Sequence, residues 1–442
     1  MTTALIGFAV LLLLMLVLRV PIPFAMSLVG VLGLVFLSSP DWTDFESLKW
    51  APYIKLAARR IITTAQNYEL SVIPLFILMG NLVTKSGLSE DLYKASFRWI
   101  GHFKGGLAMA TILSCGFFSA ICGSSLATAA TMSKVAMPSM RKYKYDESLA
   151  TASIAAGGTL GILIPPSVLL VLYGLLTETS IRDLFAAGFI PGMIGILFYM
   201  LAVKYTVMRK ASSGPPGDKY DWKGRVEALN GVWGIIFLFV LVLGGIYGGI
   251  FTPTEAAGIG SGGALFIALL RRSLTWKSLI TILTDTAKTT TVLFSILIGS
   301  LIFTNFISRT GLPSDLVNFI TELDLSNWMV IAIILLIYIV LGMVFESISM
   351  VMLTVPIFYP LVQSLGFDLV WFGIVVVVVT EISLISPPVG LNVFVISSVL
   401  PEVKTSTIFK GVIPFFVLDI LRLILLATIP AISLFLPKLL YN

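Results

Sequence analysis

The 442 residues are 57% hydrophobic and 12% charged, about half the charged share of a soluble chain, and apolar runs of about 17 or more residues recur along the whole length. This excludes a soluble globular domain and points to an all-α polytopic membrane protein. The net charge of +6 gathers in a few loops, as orientation determinants do, and is no nucleic-acid signature; Cys115 and Cys122 share one apolar segment and offer no disulfide framework.

In chain order, residues 4–18 form a first span, since no basic segment precedes them and Arg19 follows, unlike a signal peptide. Residues 24–38 form a second span after Arg19-Val-Pro-Ile-Pro23. Residues 41–66 mix Asp41, Asp44, Glu46, Lys49, Lys55, Arg59 and Arg60 with Trp50, Tyr53, Leu56 and Ile61, the pattern of an amphipathic helix along the interface. Residues 70–84 are a third span containing Pro74, and 88–104 are amphipathic again. Residues 105–139 are too long for one span and too short for two, so they predict a hairpin with Gly123, Ser124 and Ser125 at its tip. Residues 148–178 form a span broken at Gly157–Ser167, and 184–208 a full span followed by a polar linker to about residue 228. Two further spans (230–250 and 253–270), an amphipathic stretch (273–288) and a span (290–307) come next. A second hairpin-length segment, 328–362, centres on Phe345-Glu-Ser-Ile-Ser349; a second broken span, 369–400, and a last span, 411–436, end the series.

The breaks carry the chemistry. Gly157-Gly-Thr-Leu-Gly-Ile-Leu-Ile-Pro-Pro-Ser167 and Thr380-Glu-Ile-Ser-Leu-Ile-Ser-Pro-Pro-Val-Gly390 each hold a Pro-Pro pair inside an apolar run. Proline removes a backbone donor and clashes with the carbonyl four residues back. Its predecessor avoids helical geometry. Backbone freed at membrane depth persists only where protein or a water-filled cavity receives it, and paired interruptions mark transporter binding sites.

The halves are related. Gly80–Leu92 lies over Thr304–Leu316 at an offset of 224, Pro138 over Pro360 and Pro165-Pro166 over Pro387-Pro388 at 222, and Pro191 over Pro414 at 223. Five crossings and one hairpin per half invert the second half relative to the first. With the N-terminus outside, the inner loops collect Arg19, Lys85–Lys104, Arg141–Lys144, six basic residues from Lys204 to Arg225, Arg271, Arg272, Lys277, Lys404 and Lys410. The outer loops collect Glu178, Asp183, Asp315, Glu322, Asp324 and Asp368, with basic residues 49–60 as the exception. The expected organisation is scaffold helices and arm at 1–104, first hairpin and broken helix at 105–183, span and linker at 184–229, second scaffold at 230–326, second hairpin and broken helix at 327–400, and a last scaffold helix at 401–442. Unwound carbonyls and hydroxyls are hard oxygen ligands, and helix N-termini attract carboxylates, so symport of an anion with a small cation follows, sodium fitting neutral oxygens better than a proton does.

Gly123-Ser-Ser-Leu-Ala-Thr-Ala-Ala-Thr131, Gly157–Ser167 and Ser386-Pro-Pro-Val-Gly-Leu-Asn392 resemble the large membrane subunit of the tripartite ATP-independent periplasmic (TRAP) transporters, over the whole chain. The resemblance implies an elevator-type importer of a small organic acid such as a sialic acid or C4-dicarboxylate, multi-pass in the bacterial inner membrane, about ten transmembrane helices plus two re-entrant hairpins. It implies two or more sodium ions, a separate small membrane subunit of about four helices and a soluble periplasmic substrate-binding protein. One sodium site is implied at Gly123, Ser124, Ser125, Gly158, Thr159 and Gly161; the other at Glu346, Ser347, Ser349, Ser386, Pro387 and Gly390. The solute is expected between the tips, with Ser125, Thr128, Pro165, Pro166, Ser347, Glu381, Pro388 and Asn392 as candidate contacts. Glu381 is costly in lipid and so a functional candidate, or else a partner for a neighbouring span; Asp419 and Arg422, three apart, are expected to pair. A proton-coupled or binding-protein-independent anion carrier is the alternative. An intramembrane hydrolase is disfavoured by the single histidine, His102, and by the lack of a His-Glu-x-x-His motif.

Overall fold

The computed structural model describes residues 2–39, 50–323, 325–343 and 345–441. Residues 41–49 of the first amphipathic stretch and the outer-loop Asp324 lie outside them. The described residues are all-α, and seven helices are long and apolar enough to cross a membrane, with seven shorter apolar helices of 10–17 residues beside them. Leu13, Phe24, Trp233, Ile236, Val240 and Leu336 among others expose large apolar side chains on the outside, as a lipid-facing surface does. The chain is a multi-pass membrane protein.

The first half runs α1 (Thr2–Leu16), α2 (Ile22–Ser38), α3 (Trp50–Ala65), α4 (Val72–Lys85), α5 (Leu88–Ile100), α6 (Gly106–Cys122), α7 (Ser125–Lys142), α8 (Glu147–Thr159), α9 (Val168–Thr177) and α10 (Ile181–Arg209). The second runs α11 (Trp222–Tyr247), α12 (Pro253–Leu270), α13 (Trp276–Arg309), α14 (Leu312–Glu322), α15 (Asn327–Gly342), α16 (Ser347–Ser364), α17 (Leu369–Ser383), α18 (Leu391–Val399), α19 (Thr405–Thr428) and α20 (Ala431–Tyr441). Side-chain caps start many of them: Asp146 on α8, Asp221 on α11, Asp368 on α17 and a Thr252–Glu255 capping box on α12.

The expected repeat is present in the element order: α4 and α5, α6 and α7, α8, α9 and α10 recur as the end of α13 with α14, α15 and α16, α17, α18 and α19. Three boundaries differ from the sequence reading. The amphipathic stretch 273–288 and the span 290–307 are one helix of 34 residues, α13. No Gly or Pro separates them, and the hydroxyls of Thr291 and Ser295 bond back to the carbonyls of Ala287 and Thr291 at 2.8 and 2.7 Å. In the first half the same pair is split at Asn67, whose side chain accepts from the Glu69 amide at 2.9 Å and starts a short 3-10 turn, Tyr68–Ser71. The last span divides at Pro430 into α19 and α20, because proline cannot supply the next amide. Helix α14, for which the sequence reading assigned no element, is the second-half counterpart of amphipathic α5.

The loops rich in Lys and Arg meet at one end. The Gly105 amide donates to Gly214 O and that of Gly217 to Gly101 O, each at 2.8 Å, so the linker after α10 lies across the α5–α6 loop. Lys210 bonds Asp146 at 2.8 Å, Arg141 bonds Glu402 at 2.6 Å, and Arg271 pairs with Asp91. At the opposite end Glu69, Glu178, Arg182 and Thr252 surround one recess. One hairpin (α6–α7) has its base at the basic end. The other (α15–α16) has its base where Tyr173, on α9, donates to Leu369 O at 2.7 Å. The two hairpins therefore point at each other.

Candidate functional site

Each hairpin turns on a short polar tip. Gly123 closes α6 with φ 66°, a left-handed conformation that only glycine takes without strain. Ser124 then caps α7, its Oγ accepting from the Ala127 amide at 3.3 Å. At the other tip Glu346 caps α16, taking both the amide and the hydroxyl of Ser349 at 3.4 Å. A capping oxygen contributes about 1 kcal/mol. Glu346 also takes the Ile348 amide, so the first-turn amides left to face a ligand are those of Ser125 and Leu126 on α7 and of Ser347 on α16.

The breaks are as the Pro-Pro pairs require. Helix α8 stops at Thr159, Leu160–Ile162 form a 3-10 turn, and α9 restarts behind Ser167, which accepts from the Leu170 amide at 3.3 Å and donates to the carbonyl of Ile162. Helix α17 stops at Ser383, and α18 starts after Gly390, where φ is again positive at 58°. The amide of Asn392 closes this second loop on Leu384 O at 3.0 Å. Both Pro-Pro bonds, Pro165-Pro166 and Pro387-Pro388, are cis.

Tips and breaks converge on one cavity of about 180 Å³. Gly123, Ser124 and Ser125 line it from one tip, Glu346 and Ser347 from the other, Ile162, Val168 and Leu169 from the first break and Leu384 from the second. Three helix N-termini, those of α7, α9 and α16, open into it, each with the partial positive charge that favours an anion. Ile77 and Asn81 of α4 and Thr289 and Leu293 of α13 complete the wall.

The other candidates lie behind this lining. Asn392 joins the second break to the first tip: its Nδ2 donates to Ser125 Oγ at 2.7 Å and to Ala155 O at 2.9 Å, and Ser125 Oγ lies 2.9 Å from its Oδ1. Gly158 lies against the Ser125 carbonyl, where an added Cβ would stand 3.3 Å from that oxygen. Gly161 is pressed onto Ser119 of α6 so closely that a Cβ would fall 2.0 Å from Ser119 Oγ. Thr128 and Ser119 are fully buried with hydroxyls that have no hydrogen-bond partner among the described residues. Ser349 serves Glu346, and Ser386 Oγ donates to Ser383 O at 3.3 Å. Pro165, Pro166, Pro387, Pro388 and Gly390 shape the break backbones without lining the cavity, and Thr159 turns toward Tyr199. Glu381 does not reach the cavity; it pairs with Arg422 at 2.6 Å, and Arg422 pairs with Asp419 at 3.0 Å.

Sequence reasoning passed over Asn81 and Thr289. Asn81 was visible in the repeat, where it lies over Asn305. The structure gives both asparagines the same work: Asn81 donates to Thr286 of α13 at 2.9 Å, and Asn305 accepts from Arg60 of α3 at 3.3 Å. Each ties its half to the amphipathic arm of the other.

At the basic end, outside the membrane, the Lys210 ammonium beside Asp146 holds its carboxyl below the usual range. The Asp218 carboxylate bonded to Tyr143 pushes that phenol up to about 12.

Residues 9–432 match the family described as tripartite ATP-independent periplasmic transporter, DctM component. The chain is 35% identical over 388 residues to the C4-dicarboxylate TRAP transporter large permease protein DctM of Pseudomonas aeruginosa, covering 87% of this chain and 90% of that protein. It is 31% identical over 421 residues to the sialic acid TRAP transporter large permease protein SiaM of Vibrio cholerae, covering 93% and 98%. In fold it is similar to the YdaH transporter of Alcanivorax borkumensis, with a TM-score of 0.66 at 14% identity over 92% of this chain and 98% of that one. Opposed hairpins, paired Pro-Pro breaks and a match over nearly the full length make one conclusion: the chain belongs to the DctM component family, the large permeases of TRAP transporters.

Proposed function

We propose that the protein imports a small organic acid, of the C4-dicarboxylate or sialic-acid kind carried by its relatives, by secondary active transport in the bacterial inner membrane. A periplasmic binding protein delivers the solute, a separate small membrane subunit braces the permease, and sodium is the coupled ion. The observation that carries this reading is the single cavity between the tips, into which three helix N-termini open. An anion entering there meets free amides and the hydroxyls of Ser124, Ser125 and Ser347 while both breaks close around it.

Sodium fits the residues behind the first tip. The unpartnered hydroxyls of Thr128 and Ser119 flank the contact between Ser125 and Gly158 to Gly161, and neutral oxygens of this kind suit a hard monovalent cation. For the second ion the candidates are the Glu346 carboxylate, Ser347 and Ser349 of the second tip, which meets Leu384 of the second break at the cavity, with Ser386, Pro387 and Gly390 further along that break. Bound sodium supplies positive charge next to the solute; the residues orient both and exclude water. Helices α6–α9 and α15–α18 form the moving body, and α3–α5 with α11–α14 the frame it slides against, an elevator.

Reconstitution with a cognate binding protein and small subunit tests this. The expected result is saturable uptake into proteoliposomes against a gradient, dependent on inward sodium and on both partners. Uptake that equilibrates without concentrating, or that ignores sodium, would overturn it.

A further inference from the structure

The apolar interior contains one polar chain that the cavity does not use. Thr159 Oγ1, on the last residue of α8, lies 3.1 Å from Tyr199 Oη on α10. Tyr199 donates to Asp419 of α19 at 2.5 Å. Arg422, one turn further along α19, contacts Asp419 at 3.0 Å and donates to Glu381 of α17 at 2.6 Å, and its guanidinium stands 5.7 Å from the centre of the Tyr199 ring. All five side chains have zero solvent exposure. One end of the chain is the residue where the first break opens; the other is two residues before α17 ends at the second break. Glu381 also meets the backbone of Leu163, inside the first break. Gly195 makes the space: a Cβ there would lie 2.1 Å from Arg422 Nη1.

The chain obeys the internal repeat. Thr159 and Glu381 are 222 apart and Tyr199 and Arg422 are 223 apart, the offsets of the matched prolines. The Thr159–Tyr199 contact of one half and the Glu381–Arg422 contact of the other therefore occupy corresponding places, a hydroxyl pair in the first and an ion pair in the second. Asp419 spans the two and has no counterpart, since Ile196 stands at its mate position.

We propose that Thr159, Tyr199, Asp419, Arg422 and Glu381 form a positioning network that locks the two unwound segments to each other, so that a shift in one break is imposed on the other. Charge-assisted hydrogen bonds are short and directional in a low dielectric, and removing any one partner strands the rest where no water can replace it. Two soft loops become one unit through this link. The inference stands on geometry alone and does not depend on which ion is coupled.

Hydrogen exchange on the purified full chain, read by mass spectrometry, tests it. Tyr199→Phe keeps the ring and removes a hydroxyl that bonds only Thr159 and Asp419. The expected result is that amides at 384–386 and 389–392, in the second break, exchange roughly fivefold faster or more. Glu381→Gln should do the same to amides at 160 and 161 in the first break, on the Thr159 side and away from the Leu163 backbone that Glu381 itself meets. Asp419→Asn, which keeps the shape of the bridge, is the second variant and should loosen both breaks. Acceleration confined to the mutated side in these variants, or none, would overturn the proposal. A network that served only local packing would not move exchange at the far break.

Discussion

At the scale of single residues, the breaks are held by contacts with little slack. Asn392 makes three buried hydrogen-bond contacts, two with Ser125 and one with Ala155 O. Asn392→Ala strands Ser125 and the Ala155 carbonyl and should cost about 2–3 kcal/mol, read as a lowered thermal unfolding midpoint in detergent. A destabilisation below about 0.5 kcal/mol would show that the bridge is not tight. The Gly161–Ser119 contact has a mate in the second half with the partners exchanged: Gly342 of α15 faces Ser383 of α17, and a Cβ on Gly342 would fall 2.2 Å from Ser383 Cβ. Each half keeps one glycine at this crossing, on opposite helices. The crossings differ in depth, since a Cβ on Gly161 would also fall 2.3 Å from the Ser119 backbone carbonyl carbon, whereas one on Gly342 meets side-chain atoms. Gly161→Ser should therefore abolish uptake, and adding Ser119→Gly should not recover it; recovery in the double variant would show that the backbones can move apart at this crossing.

At the scale of elements, the same amphipathic sequence type is used in two ways. The arm of the first half is broken from its span at Asn67, whereas in the second half α13 continues for 34 residues through the corresponding point. The linker after α10 is likewise an ordered strap and not a loose tether, held to the α5–α6 and α7–α8 loops through Gly214, Gly217 and Lys210. Asp146 is its anchor, capping α8 through the Ser148 amide at 3.0 Å while bonding Lys210 at 2.8 Å. Asp146→Asn keeps a capping oxygen and removes the charge that Lys210 meets, so it should cost about 0.5 kcal/mol, in the range of a partly exposed ion pair. The carboxyl has a folded pKa below its ordinary value because of Lys210. Its stabilisation is thus complete above the ordinary value and disappears as pH falls through the lowered one. The difference in melting temperature between wild type and Asp146→Asn should be constant from pH 8 to about pH 5 and shrink below pH 4; a gap that widens on acidification would refute the assignment.

At the scale of the whole molecule, the cavity is bounded by two kinds of wall. The tips and breaks provide one side, and α4 and α13 provide the other through Ile77, Asn81, Thr289 and Leu293. In the proposed elevator the first side slides past the second. Cysteines at Ala127 and Leu293, which face the cavity from opposite walls, introduced with Cys115→Ala and Cys122→Ala, should when bridged reduce uptake to background and restore it on reduction. Normal turnover in the bridged protein would exclude relative motion of the two walls. The hairpins also explain why the molecule needs both halves: neither tip alone encloses the cavity.

Hydropathy, the two Pro-Pro pairs and the near-constant offset of 222 to 224 by themselves determined an all-helical, duplicated, membrane-spanning chain with paired breaks, because each rests on local rules: the apolar length needed to cross lipid, the donor that proline lacks, and the periodic recurrence of turn residues. The same patterns placed the serine-bearing tips. They did not separate residues that face the cavity from residues that only shape it, because side-chain direction at a break depends on what packs against it. Only the tertiary structure sent Glu381 to Arg422 and not to the cavity, and brought Asn81 and Thr289 to its wall. A buried carboxylate must find a cation or a donor wherever the fold puts one, and here that partner stands 41 residues further along the chain, on a helix whose neighbours no local pattern specifies.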